Sequence, residues 1–113
     1  MSKKQEISFN EYQRAALSTA VYPDLGKAVY PTLGLAGEAG EVAEKIKKYH
    51  RDGVSSFEAF QATMRKELGD VLWYVAVIAD ELGMDLIDIA EANIAKLAAR
   101  KTAGTLQGSG DDR

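Results

Sequence analysis

Four carboxylates in two matched pairs carry the chemistry that this chain can do: Glu38 and Glu41 stand three residues apart, as do Glu67 and Asp70. On a helix that spacing puts both side chains of a pair on one face. Each pair borders an apolar stripe, with Val42 and Ile46 beside the first and Leu68 and Val71 beside the second. Two such helices packed together turn both pairs toward their common groove, where four negative groups converge. Like charges in a partly dry site either take up protons or recruit a counter-cation. There is no cysteine, and the single histidine, His50, does not follow a glutamate at the spacing that a di-iron bundle uses. An all-oxygen donor set of this kind suits a hard ion, Mg²⁺ or Mn²⁺, with positions left for water and phosphate oxygens, so a polyphosphate is the natural ligand. A lone E-x-x-E is ordinarily a solvated helix face. Two sets on successive helices weigh against that reading.

The elements that must position these acids are helical. Ser8 with Glu11 reads as a capping box opening a first helix from Phe9 to Ala20, with Phe9, Tyr12, Ala16 and Ala20 at helical spacing. Pro23, Asp24 and Gly26 mark a loop, after which Pro31 opens a second helix to His50, with Leu35, Ala39, Val42 and Ile46 on its apolar side. Ser55 with Glu58 reads as a further capping box for a third helix, whose apolar register runs from Phe57 through Val75 to Leu82. Asp85 and Asp88 open a fourth that stops at Gly104. With no alternating strand pattern and no internal repeat, the expected fold is all-α, four helices in an antiparallel bundle or a close variant. Residues 1–103 are expected to form one helical domain and 104–113 a flexible tail.

Bulk composition narrows the partners. A chain of 113 residues is one domain by size, and its formal charge of −3 does not favour a nucleic-acid polymer or an anionic membrane as partner, since those contacts need a clustered positive surface. The absence of cysteine excludes a disulfide framework and a thiol nucleophile. The N-terminal MSKKQEISFN carries charge with no apolar stretch after it, and no window approaches a membrane span, so a soluble, unsecreted, cytoplasmic protein is expected.

The residues around the acids are also recognisable. L-G-L-A-G-E-A-G-E-V-A-E-K from Leu33 to Lys45 and K-E-L-G-D-V-L-W-Y from Lys66 to Tyr74 resemble the MazG-like nucleotide pyrophosphohydrolases, whose signature is E-x-x-E, a variable gap and E-x-x-D. E-A-N-I-A-K-L-A-A-R from Glu91 to Arg100 looks like that family's closing helix. The resemblance implies the all-alpha NTP pyrophosphatase fold, Mg²⁺ dependence with Mn²⁺ as a substitute, and hydrolysis of a nucleoside triphosphate, with a lean toward deoxynucleotides, to a monophosphate and pyrophosphate. It also implies a homodimer or homotetramer that builds the site.

Carried over, it makes Glu38, Glu41, Glu67 and Asp70 the catalytic metal ligands. Tyr74, one turn after Asp70, falls within reach of a phosphate, and Asn93, Lys96 and Arg100 are candidates to hold the triphosphate or sugar from the fourth helix. Lys96, Arg100 and Lys101 also complement the negative end of that helix. Ions held by the carboxylates would polarise the phosphate and neutralise charge on the leaving pyrophosphate, with Glu41 or Glu44 taking the proton of the attacking water. The rival from another class is a non-catalytic helical interaction module, which divalent cations would not stabilise.

Other residues invite two readings. Gly34, Gly37 and Gly40 each cost about 1 kcal/mol inside a helix relative to alanine. A smooth packing ridge is the favoured compensation, ahead of room left for a nucleotide. Trp73 reads as core or subunit interface rather than a base-stacking platform. Lys45, Lys47, Lys48, His50 and Arg51 read as a solvated basic helix end. The loop from Tyr22 to Tyr30 is expected to shape base preference. The tail ending in Arg113 is a candidate lid over bound phosphates.

Overall fold

The computed structural model describes residues 4–108. Its elements are α1 (Phe9–Leu17), α2 (Val29–Asp52), α3 (Phe57–Glu81) and α4 (Leu86–Ala103), with no strand among the described residues. The expected all-α class holds, and the element ends are decided by local chemistry. Ser8 and Glu11 form the full capping box, their reciprocal bonds at 3.1 and 3.0 Å. α1 stops at Leu17 rather than Ala20, because the Ser18 and Thr19 hydroxyls bond back to the carbonyls of Ala15 and Ala16 and end the helical ladder. The cap of α3 is Ser56, whose hydroxyl accepts from the Ala59 N–H at 3.1 Å, and not the expected Ser55 with Glu58.

α2 starts at Val29, ahead of the expected Pro31. Pro31 is buried in the first turn, where its missing N–H breaks no helical bond. The residue before the helix, Ala28, sits in the left-handed region at φ 60°, a conformation that costs a non-glycine residue energy. Glu81, near the end of α3, holds it there. One carboxylate oxygen of Glu81 accepts the Ala28 N–H at 2.8 Å and the other accepts the Tyr22 hydroxyl.

The two long helices, 24 and 25 residues or about 36 Å each, form an antiparallel hairpin. α2 packs against α3 alone, whereas α1 and α4 pack against α3 and each other. The core therefore lies at the C-terminal half of α3, where Ala16, Ala76 and Leu86 meet with Tyr12, Trp73 and Val75 around them. Polar bonds lock this junction. The buried Gln13 side chain donates to the carbonyls of Ala76 and Met84, both at 3.1 Å, and accepts the Leu86 N–H at 3.0 Å. Asn10 accepts the Ile87 N–H at 3.2 Å. Asp85 makes no side-chain cap bond, so α1 supplies the acceptors that the first turn of α4 needs. Trp73 donates from its indole to Ala16 and Thr19, pinning α1 to α3 in agreement with its core reading. Gly104, at φ 74°, closes α4 as expected.

No helix among the described residues is long and apolar enough to cross a membrane. Packing leaves large apolar groups uncovered: Leu33, Leu68 and Ile94 are 64%, 54% and 68% exposed. The radius of gyration is 17.1 Å, against about 13 Å for a close-packed chain of this length.

Candidate functional site

The hairpin of α2 and α3 brings three of the four signature acids together. Glu38 on α2 and Glu67 and Asp70 on α3 each offer a carboxylate oxygen, and these oxygens lie within 4.8 Å of one another. Burial, together with Asp70, Glu67 and Glu41, pushes the Glu38 carboxyl above its usual range, and Glu67 shares a hydrogen bond with it. Glu41 stands outside the trio. Its more exposed carboxylate is joined to the cluster through Lys45, whose ammonium lies 4.0 Å from Glu41 and 3.7 Å from Glu67. Nothing stands within 4 Å of where a Cβ would be at Gly37, next to Glu38, or at Gly69, next to Asp70, so the backbone beside both acids is open.

A shifted carboxyl is a statement about stability. Glu38 titrates higher in the fold than its reference of 4.5, so the folded state holds the proton more tightly than the unfolded chain does. Stability therefore falls as pH rises from about 4.5 through the raised value, and at neutral pH the Glu38 charge costs stability. Glu38→Gln is expected to raise the melting temperature in EDTA at pH 7, the gap to wild type closing below pH 4.5. Thermal melts across that range check it; an equal or lower midpoint at pH 7 would show that the acids do not repel as placed.

Tyr74 lies across α2 beside the trio. Its ring occupies the space that a side chain at Gly34 would need, and burial, Tyr30, Glu38 and Asp70 push its phenol up. Of the three glycines expected to form a packing ridge, Gly34 alone does so; Gly37 and Gly40 face open space. Asn93, Lys96 and Arg100 ride on α4, which does not pack against α2. Asn93 is exposed, Lys96 half-buried, and Arg100 is buried at 5% exposure. Glu44 is engaged by Lys47 at 2.9 Å and Lys48 at 3.7 Å, which hold its carboxyl below the usual range. Of the two candidate bases, Glu41 is the one adjoining the trio. Residues 109–113 of the candidate lid lie outside the described residues.

Several neighbours owe their positions to the tertiary fold. Tyr12 of α1 comes near enough to Asp70 that burial and the carboxylate together raise its phenol. An apolar cleft lined by Ile7, Phe9, Tyr12 and Leu72 lies on that flank. Tyr30 stacks on Tyr22, ring centres 4.7 Å apart and 3° from parallel, next to a cavity of about 400 Å³ lined by Tyr22, Asp24, Gly26, Lys27 and Glu81. Burial and Glu81 push the Tyr22 phenol up to about 12. Lys45, counted among the solvated basic residues, instead lies between two signature acids. Its position one turn after Glu41 and two after Glu38 is the signal that could have found it.

Comparison with known proteins agrees with this geometry. The family described as the MazG nucleotide pyrophosphohydrolase domain matches residues 31–104, a stretch that takes in α3 and all four acids. The chain is 46% identical to the Gene 37 protein of Mycobacterium phage L5, over 90% of this chain and 96% of that one. It is 36% identical to the uncharacterized protein YvdC of Bacillus subtilis (strain 168), over 58% of this chain and 68% of that one. No solved structure matches significantly.

Proposed function

The chain belongs to the MazG nucleotide pyrophosphohydrolase family, and from that premise we propose that it hydrolyses nucleoside triphosphates, deoxynucleotides foremost, to a monophosphate and pyrophosphate with Mg²⁺ bound by its acid cluster. The observation that carries this reading is the convergence of Glu38, Glu67 and Asp70 from two helices. Their oxygen-only donor set, the raised Glu38 carboxyl and the open backbone at Gly37 and Gly69 fit a hard divalent cation with room beside it for phosphate. Mn²⁺ has the same donor preference and serves as a substitute.

When bound, the ion supplies Lewis-acid polarisation of the phosphate and charge neutralisation on the leaving pyrophosphate. The protein's own groups do the rest. Glu38, Glu67 and Asp70 would hold that ion, and Glu41, exposed beside them, would accept the proton of the attacking water. Water adds to the α-phosphorus, the bond to the bridging oxygen breaks, and pyrophosphate departs. The Tyr74 hydroxyl, held protonated at neutral pH, donates to a phosphate oxygen. Asn93, Lys96 and Arg100 hold the triphosphate or sugar from α4 of the same or a second copy, Arg100 being the most buried of the three. The cavity beside the stacked Tyr22 and Tyr30 receives the base.

The open packing supports a homodimer or homotetramer. α2 has one helical neighbour, and Leu33, Leu68 and Ile94 are left for a second copy to cover. Neither a nucleic-acid polymer nor a membrane is part of the reading, and a cytoplasmic site of action accords with a nucleotide substrate.

Pyrophosphate release from a panel of canonical and modified (d)NTPs, with Mg²⁺, Mn²⁺ or EDTA, tests the proposal. Release is expected with either ion and not with EDTA. No release from any triphosphate would leave a helical module with a metal-binding surface and no such activity.

A further inference from the structure

Lys45 is a cationic group that the ion-pair geometry places at the acid cluster. It is neither a simple surface lysine nor a plain helix-end charge. Its side chain is 32% exposed, and it bridges Glu41, on its own helix, to Glu67, on the other, whose side chain is 18% exposed. The neighbouring basic residues are satisfied locally instead: Lys47 and Lys48 by Glu44, and Arg51 by Asp52. Of these basic residues of α2, Lys45 is the one whose pair reaches α3.

We infer that Lys45 is a built-in counter-cation, which offsets acid repulsion before a divalent ion arrives and competes with that ion for Glu67. The argument is one of charge and position. Glu67 belongs both to the trio that converges within 4.8 Å and to the Lys45 pair at 3.7 Å. A carboxylate oxygen has a limited number of lone-pair directions, and an ammonium beside a dication is a like-charge contact. With no metal bound, the ammonium lowers the cost of gathering the acids. With metal bound, the same charge opposes the ion. Lys45 thereby sets how much divalent cation the site needs before it fills, and it would be displaced from Glu67 by an ion held by that carboxylate. Freed from Glu67, the ammonium still lies beside Glu41 at the mouth of the cluster, where an incoming phosphate anion is its next partner.

The inference rests on the metal-binding reading above, and the test separates the two. Mn²⁺ alone, without nucleotide, is titrated calorimetrically into wild type, Lys45→Met, Lys45→Arg and Glu38→Gln, with thermal melts of each in EDTA and in saturating Mn²⁺. Lys45→Met is expected to bind Mn²⁺ about tenfold more tightly, the size of change that removing one charge from a half-exposed cluster produces. It is also expected to melt lower in EDTA and to gain more from Mn²⁺ than wild type does. Lys45→Arg keeps the charge and is expected to follow wild type, which a purely steric role for the side chain would not produce. Weaker or unchanged Mn²⁺ binding in Lys45→Met, with wild type still binding, overturns the counter-cation role. If Lys45→Met fails to fold, Lys45→Gln gives the same reading with a polar, neutral side chain. Absence of Mn²⁺ binding in wild type overturns the metal reading itself.

Discussion

Glu67→Gln is expected to lower kcat by about a thousandfold, equivalent to about 4 kcal/mol of transition-state stabilisation, the scale of a Lewis-acid contribution. Glu67 is the hinge of the cluster: one of its oxygens lies in the trio, it hydrogen-bonds Glu38, and it meets Lys45. The amide keeps the shape of the side chain but removes the charge that a divalent ion needs. It also leaves Lys45 with Glu41 as its remaining partner. Asp70→Asn is expected to lose a similar factor. Glu41→Gln, outside the trio, is expected to lose about a hundredfold or less, the range of a positioned proton acceptor. Steady-state pyrophosphate release at saturating Mg²⁺ measures all three. Equal losses at Glu41 and Glu67 would mean that Glu41 swings in to ligate; full turnover in Glu67→Gln would remove the cluster from catalysis altogether.

The second large effect is expected at a glycine. A Cβ at position 34 would overlap the Tyr74 ring, so Gly34→Ala must either move that ring or part α2 from α3. Overpacking of this kind costs about 1–3 kcal/mol, partly offset by about 1 kcal/mol of helix propensity gained. Net destabilisation is expected, with a fall in turnover, because Tyr74 is displaced from beside Glu38 and Asp70. Gly37→Ala makes no such overlap and is expected to stabilise the protomer by up to about 1 kcal/mol. Urea unfolding of the two variants separates the cases. Destabilisation at Gly37 as well would place a second copy of the chain against that side of α2.

Near-local features of the chain were readable because their cause lies within a few residues. The box of Ser8 and Glu11 closes over one turn, and Gly104 ends α4 because a residue without a Cβ adopts a positive φ at little cost. The two acid pairs are legible for the same reason: a spacing of three fixes a shared helix face whatever the helix packs against. Local signals can also compete, and there they mislead. Ser55 and Ser56 are both capping residues, and it is the extended backbone of Ser56 that puts its hydroxyl over the Ala59 N–H.

What lies between distant residues was fixed only by packing. α2 begins early at a strained Ala28 because Glu81, far along the chain, grips it together with Tyr22. α4 is capped by Asn10 and Gln13 of α1, although Asp85 has the right chemistry in the right place. Three glycines of equal spacing part company because Tyr74 crosses α2 at only one of them. The same holds at the cluster. By itself the sequence determined which acids are present and which helix face each pair shares; only the tertiary structure decided that Glu38, Glu67 and Asp70 converge while Glu41 stands aside with Lys45. A helix fixes angle about its own axis, but the distance from one helix to the next is set by the side chains that fill the space between them.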